Sequence, residues 1–252
     1  MAGHSKWSKI KRKKAGVDAA RSKVFSRILR EITIAARLGG GDPTGNPRLG
    51  LAIDNAKSNN LPKENIERAI KKGTGELGAG ESFEEVVYEG YGPGGVAYIV
   101  EATTDNPKRT VGEVRHAFTR FGGNLGTSGS VSYLFEQKGV IAIPAEGIDK
   151  EDLMLEAIDA GAEDINDEDP EQLEVTTRRE DLFAVHNTLE EQDYAIANAE
   201  LQWIPSTGVK LDEANALTNF KLMSFLEDID DVSNVFNNMT MDEDTMAVAE
   251  QL

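Results

Sequence analysis

The sequence predicts an α+β protein in which an N-terminal three-helix bundle is followed by two α/β domains. Apolar residues recur at helical spacing up to residue 72, and strand-like runs rich in β-branched and aromatic residues begin near residue 83. The net charge changes sign between the two regions. Residues 1–72 carry seventeen Lys/Arg and six Asp/Glu, a net charge of +11, whereas residues 73–252 carry a net charge of −28.

Three amphipathic helices are predicted in the basic region. The first spans Val17–Leu38 and ends at a run of three glycines, the second spans Pro47–Asn59, and the third spans Lys63–Lys72. Short connections between such helices are typical of a small bundle. The glycine-rich stretch 73–81 is predicted to be a flexible linker. Its G-x-G-x-x-G pattern follows a helix instead of a strand, so it does not predict a dinucleotide site.

Strands and helices alternate after the linker. Strands are predicted at Phe83–Glu89, Val96–Thr103 and Val131–Glu136, with a helix at Pro107–Phe121. From Val140 the order is strand, helix, two strands, helix and strand, which is the pattern of a ferredoxin-like domain. A remaining helix and strand near residues 212–236 are predicted to complete the earlier set as a second ferredoxin-like α/β sandwich.

These elements predict a discontinuous middle domain with the last domain inserted into it. The predicted segments are a basic helical bundle (1–72), a linker (73–81), the middle α+β domain (82–138 plus 206–238), an acidic ferredoxin-like domain (139–205) and a disordered tail (239–252).

The basic residues near the N-terminus form the candidate nucleic-acid-binding site. Ten of the first thirty residues are Lys or Arg, and Asp18 is the single acid among them. The basic arm runs into the first helix, whose basic stripe lies opposite its apolar face. On most helices a charged stripe is only a solvated face, but here the arm and the stripe together indicate contact with phosphates. The predicted contacts are Lys6, Lys9, Lys11, Arg12, Lys13, Lys14, Lys23, Arg27, Arg30, Arg37 and Arg48.

A second basic set, on the helix predicted at Pro107–Phe121, is a reserve nucleic-acid site. It consists of Lys108, Arg109, Arg115 and Arg120. The sequence leaves open whether these residues bind phosphate or form salt bridges with neighbouring acids.

Patterns of catalytic and metal-binding residues are absent from the sequence. There is no cysteine, no P-loop pattern, and no zinc-like spacing among His4, His116 and His186. The acidic run 163–171 lacks the glycine of a calcium-binding loop, so a solvated acidic loop is predicted. We therefore expect no enzymatic activity, no metal and no cofactor. Because no long apolar run or secretory signal is present, we also expect a cytoplasmic location and no membrane partner.

Several segments resemble the YebC/PmpR family along almost the whole chain. They are MAGHSKWSKIKRKK, GGGDPTGNPRL, NNLPKENIERAIKKGTG, YEGYGPGGVA, TDNPKRTVGEVRHAF and GGNLGTSGSVSYLF. The resemblance implies a three-domain cytoplasmic protein that acts as a DNA-binding transcriptional regulator. It also implies a relation to mitochondrial translational activators of cytochrome oxidase and to bacterial members tied to ribosomes stalled on proline-rich nascent chains. One departure is Gly50, where the family usually has Arg.

The leading hypothesis is a nucleic-acid-binding regulatory protein, specifically a DNA-binding transcriptional regulator. The alternative is a ribosome-associated translation factor or translational activator that relieves stalling, and an acid-dependent hydrolase ranks third. Nucleic acid is the expected partner, with ribosome or polymerase as further candidates for the acidic part of the chain. Lys and Arg bind the phosphates of DNA and RNA alike, so the sequence does not choose between them. It also lacks a convincing helix for reading base edges.

Overall fold

The computed structural model describes Trp7, residues 17–78 and residues 83–250. The helices are α1 (Val17–Gly39), α2 (Pro47–Ser58), α3 (Lys63–Gly73), α4 (Pro107–Arg120), α5 (Lys150–Ala160), α6 (Leu182–Glu191), α7 (Glu213–Glu227) and α8 (Glu243–Glu250). The strands are β1 (Glu84–Tyr91), β2 (Ala97–Thr104), β3 (Asn124–Leu125), β4 (Phe135–Pro144), β5 (Ala162–Asp169), β6 (Gln172–Arg178), β7 (Asn198–Pro205) and β8 (Val232–Asn237). None of the helices in these ranges is long and apolar enough to span a membrane.

The predicted α+β fold class is confirmed. One four-stranded sheet has the strand order β3-β1-β2-β8 and the other has the order β5-β6-β4-β7. The second sheet belongs to a β-α-β-β-α-β sequence of elements, as expected for a ferredoxin-like domain. The chain divides into two compact units: unit 1 contains residues 1–16, 81–136 and 203–252, and unit 2 contains residues 17–80 and 137–202.

A buried asparagine links α1 to α2 in the helical bundle of unit 2. Asn46 caps α2 by accepting a hydrogen bond from the Leu49 amide at 3.2 Å. Its side-chain amide also donates to the carbonyl oxygens of Ala35 and Gly40, at the end of α1. Gly73, predicted to begin the linker, instead allows close helix packing, because a Cβ at this position would lie 2.3 Å from the Thr33 carbonyl oxygen.

Strand β2 is the centre of unit 1, because both of its faces are buried. Tyr98 and Val100 pack with residues of α4 and α7, including Phe118 and Phe220. Ile99 points to the opposite side, where the cluster includes Ala97, Val131, Phe135 and Phe236, with Trp203 packed against it. The Tyr98 hydroxyl is satisfied by the Asn219 side-chain oxygen at 2.9 Å. Burying β2 therefore requires segments that are far apart in sequence.

Trp7 is part of the core of unit 1. It is 3% exposed and stacks on Phe220 of α7, with ring centroids 4.9 Å apart and an interplanar angle of 24°. Ring stacking of this kind adds to the large apolar area that a buried tryptophan removes from water. A residue inside the basic arm is thereby anchored to a folded domain.

The structure corrects the prediction of separate strands at Val131–Glu136 and Val140–Ile143. Ser132–Leu134 form a 3-10 turn, and β4 runs without interruption from Phe135 to Pro144. Gly139, in the middle of β4, does not break the strand. A Cβ there would lie 2.3 Å from Thr177 Oγ1 and 2.8 Å from Leu182 Cβ, so the glycine permits close packing.

Two segments contain more regular structure than the sequence predicted. Most of the acidic run 163–171 belongs to β5, which pairs with β6 despite its many exposed carboxylates. The tail predicted to be disordered after Met239 contains α8, in which Val248 and Ala249 are buried against the core of unit 1. Asp242 stabilises the start of this helix, because its carboxylate accepts hydrogen bonds from the amide and the hydroxyl of Thr245.

Glu89 on β1 orders the loop that follows β3. Its carboxylate accepts backbone hydrogen bonds from Gly129 at 2.8 Å, Val131 at 2.7 Å and Ser132 at 2.9 Å. The residue is 5% exposed. Burial by itself would raise the pKa of the Glu89 carboxyl, but the hydrogen bonds from these amides outweigh burial and lower its pKa.

We predict that Glu89→Gln lowers the free energy of unfolding by roughly 1–3 kcal/mol, because the new NH2 group faces backbone donors that then lose an acceptor. Glu84→Gln, at an exposed position of the same strand, should change it by less than about 0.5 kcal/mol. Chemical denaturation measures both values, and equal stability of the two variants would contradict this role of Glu89.

The same carboxylate predicts a pH dependence of stability. Because the folded-state pKa of Glu89 is lowered, its contribution is present above the unfolded value of about 4.3 and is lost as the pH falls through the folded value. The stability difference between the wild type and Glu89→Gln should therefore shrink below about pH 4.

Candidate nucleic-acid interface

The predicted basic arm is represented in the structure by Trp7. Lys6, Lys9, Lys11, Arg12, Lys13 and Lys14 lie outside the described residues. Sequence reasoning did not single out Trp7. The available signal was a lone large aromatic residue within a basic segment, which is typical of an anchor that packs against a folded domain.

A fully buried stretch of α1 interrupts its predicted basic stripe. Ile32, Thr33, Ile34, Ala35 and Ala36 are all buried, so this part of the helix is covered around its circumference. Lys23, Arg27 and Arg30 lie before this stretch and are half-buried, whereas Arg37 lies after it and is exposed. The amphipathic pattern predicts an apolar face of Val24, Ile28, Ile32 and Ala35. Ile32 and Ala35 belong to the bundle core and Ile28 packs against it, but the pattern did not predict this interruption.

Arg48, the last residue of the predicted set, is paired with Glu31. Its Nε lies 2.6 Å from Glu31 Oε1 and its Nη2 lies 2.9 Å from Glu31 Oε2. This two-point geometry links α2 to α1 and neutralises the guanidinium locally. A phosphate contact at Arg48 would have to compete with the Glu31 carboxylate.

Arg109, in the reserve set, belongs to a network that joins α4 to the start of β8. Its Nη2 lies 2.6 Å from Asp231 Oδ2 and 2.8 Å from Asp105 Oδ1. The same Asp231 oxygen accepts hydrogen bonds from Thr110 at 2.7 Å and Thr104 at 3.1 Å. The alternative of pairing with acids, left open by the sequence, thus describes Arg109.

The electrostatics of this network follow from its geometry. Burial alone would raise the pKa of Asp231, but hydrogen bonds from Arg109, Thr110 and Thr104 lower it below its ordinary value. The hydrogen bonds to Asp231 and Asp105 raise the pKa of Arg109. The pair therefore remains ionised at neutral pH and stabilises the packing of α4 on its sheet.

The other reserve residues lie on the solvent side of α4. Lys108, Arg115 and Arg120 are exposed. The Arg120 guanidinium lies 5.0 Å from the ring centroid of Phe225, which orients it by a cation–π contact. Between Lys108 and Arg115, a Cβ built on Gly112 would meet no described atom within 4 Å. A glycine inside a helix is costly, and at an open position it permits close approach of a ligand backbone.

A third group of polar residues was missed by sequence reasoning. Asp54 of α2 and His186 and Glu190 of α6 border a pocket of about 210 Å³ in unit 2. Asp54 lies more than a hundred positions before His186 and Glu190 in the chain, so sequence spacing did not bring the three together. These three residues could hold a metal ion, in contrast to the expectation from the histidine spacing alone.

Comparison with known proteins identifies domains along most of the chain. Residues 5–76 match the model described as the TACO1/YebC protein N-terminal domain. Residues 83–239 match the model described as the TACO1/YebC second and third domain.

Similar proteins include two that carry the name "probable transcriptional regulatory protein". The protein from Persephonella marina is 56% identical over 98% of both chains, and the protein from Chlorobaculum tepidum is 51% identical over 100% of both chains. A crystal structure of a conserved hypothetical protein from Aquifex aeolicus is 52% identical, with a TM-score of 0.85, and covers 91% of this chain and 94% of that one.

We predict that Asp231→Asn lowers the free energy of unfolding by roughly 1–3 kcal/mol, because the buried group that accepts hydrogen bonds from Arg109, Thr104 and Thr110 loses its charge and one acceptor oxygen. Glu113→Gln, on the exposed face of α4, should change it by less than about 0.5 kcal/mol. Combining Asp231→Asn with Arg109→Gln should cost less than the sum of the single changes. Additive effects in denaturant titrations would show that the pair is not coupled.

Proposed function

The chain belongs to the TACO1/YebC family, and on that premise we propose that it is a regulatory protein that binds nucleic acid through backbone phosphates. The favoured activity is that of a cytoplasmic DNA-binding transcriptional regulator. Its similarity to proteins named as probable transcriptional regulators supports the regulatory part of this proposal.

The observation that carries the proposal is the burial of Trp7. This residue is fixed against Phe220 in unit 1, and six Lys/Arg lie between positions 6 and 14 around it. Chain connectivity keeps these charges close to one folded domain. An anchored group of cations loses less conformational entropy on binding a polyanion than a free tail would lose.

The chemistry supports binding that depends weakly on base sequence. Lys and Arg neutralise phosphates and release condensed counterions, and this electrostatic contribution carries no base information. Unit 1 also contains the exposed residues Lys108, Arg115 and Arg120. We assign them an auxiliary phosphate-binding role, whereas the pairing of Arg109 and Arg48 with carboxylates favours structural roles for those two residues.

A second candidate function is that of a ribosome-associated translation factor. It is favoured by α5, where Met154, Leu155 and Ile158 are exposed among acidic residues that include Glu151 and Asp159. An apolar patch with an acidic border is complementary to a basic protein surface that has an apolar centre. Ribosomal proteins present basic surfaces, so this patch supports a ribosome-associated role.

We predict that binding to duplex DNA weakens steeply with salt. If about six phosphates are contacted, affinity should fall roughly 10³-fold between 50 and 200 mM salt. Replacing Lys11, Arg12, Lys13 and Lys14 with glutamine should weaken binding to every duplex similarly and reduce the salt slope, as measured by fluorescence anisotropy. Lys210→Gln, which removes an exposed charge paired with Asp242, provides the control. An unchanged slope would show that the arm makes no phosphate contacts.

Crosslinking in cells followed by sequencing of the attached nucleic acid separates the two candidate functions. A DNA-binding regulator should yield chromosomal DNA, and the quadruple arm variant should lose it. Recovery of ribosomal RNA in its place would reject transcriptional regulation in favour of the translation factor.

A further inference from the structure

We infer that unit 2 contains a binding site for a divalent transition-metal ion of the zinc class, formed by Asp54, His186 and Glu190. One potential ligand atom from each residue, a carboxylate oxygen or an imidazole nitrogen, lies within 4.8 Å of the other two. Asp54 comes from α2, in the helical bundle, and the other two residues come from α6. The ion would link these two helices of unit 2.

The backbone that carries Asp54 is already held in place. The neighbouring Asn55 donates from Nδ2 to the Ala199 carbonyl oxygen, and its Oδ1 accepts from the Ala199 amide, both at 2.8 Å. Ser58 donates to the Ile196 carbonyl oxygen at 2.8 Å. Gly50 faces α6 in the same region, since a Cβ there would make an ordinary contact, at 3.5 Å, with the ring of Phe183. The site therefore does not need to be assembled by the ion.

The two residues of α6 are spaced for joint ligation. Positions i and i+4 lie on the same face of a helix, so His186 and Glu190 both point towards α2. His186 is 1% exposed, and its Nδ1 lies 3.2 Å from the side-chain oxygen of Asn187. This contact suits the tautomer with the proton on Nδ1 and the lone pair on Nε2, because an amide oxygen accepts hydrogen bonds. Metal-binding histidines are oriented by this kind of contact.

The ligand types favour zinc-like ions over calcium or magnesium. Imidazole nitrogen and carboxylate oxygen are both zinc ligands, whereas calcium and magnesium prefer sites made of oxygen alone. The three ligand atoms lie within 4.8 Å of one another. Zinc bonds of about 2.0–2.2 Å hold ligand atoms closer together than this distance. Glu190 is exposed, so a change of its side-chain rotamer can supply this movement. The adjoining pocket leaves room for water as a fourth ligand.

Lys57 is the competing cation at this site. Its Nζ lies 2.7 Å from Asp54 Oδ1, and its side chain is 67% exposed. An ion pair this open to water is weak, so a divalent ion can displace the ammonium. With Lys57 included, two carboxylates and one ammonium leave a net negative charge, which favours cation binding.

The test is calorimetric titration of the full-length protein with Zn²⁺ at low micromolar protein concentration. We expect one saturable site and a higher melting temperature when zinc is present. Glu190→Gln should weaken zinc binding at least tenfold, and Lys57→Gln should strengthen it. Glu191→Gln, which changes the adjacent exposed residue on α6, should leave zinc affinity unchanged. Equal affinities of Glu190→Gln and the wild type would overturn the proposal.

Imidazole ¹⁵N NMR of the wild type provides a second measurement that does not depend on whether a His186 variant folds. The chain has three histidines, so His4 and His116 serve as internal controls. Stoichiometric zinc should shift the His186 Nε2 signal selectively. An unchanged His186 signal, or displacement of zinc by a small excess of magnesium, would overturn the proposal and indicate general carboxylate binding.

Discussion

Strand β2 imposes the main constraint on unit 1, because both of its faces must be covered. All its residues except Glu101 are buried. Of the helices that cover the Tyr98 face of β2, α4 follows β2 closely in sequence. The chain must come back after residue 212 to add α7 to this core and β8 to the sheet. The opposite face is covered by residues around Val131 and Phe135, and by Trp203. Residues 137–202 belong to unit 2, and the core of unit 1 is completed by residues 203–252.

Buried carboxylates organise this acidic protein more than its numerous surface carboxylates do. Glu89 gathers three loop amides, and Asp231 gathers two threonine hydroxyls and a guanidinium. Each carboxylate is held where several donors would otherwise be unsatisfied, so its removal affects both loop order and helix packing. The exposed carboxylates of α5 and β5 instead set the negative field to which a partner must be complementary.

The local environment of each cation decides what it can contribute to nucleic-acid binding. Arg48 and Arg109 are both satisfied by carboxylates, and a phosphate would gain less from them than a count of charges suggests. Lys108 and Arg115 are exposed on either side of an open glycine position. Trp7 lies in the same unit as these two residues, which makes unit 1 the centre of the proposed interface.

The sequence by itself determined the element types, the helix starts and the large charge difference, because these depend on neighbouring residues. The Asn-Pro pairs at 46–47 and 106–107 predicted where α2 and α4 begin, and both asparagines cap their helices. Only the tertiary structure decided which cations meet carboxylates, that Gly73 and Gly139 allow close packing, and that Trp7 enters a distant core. It alone brought Asp54 beside His186. The physical reason is that close packing, ion pairing and metal coordination depend on distances between elements, which periodicity and composition along one chain do not encode.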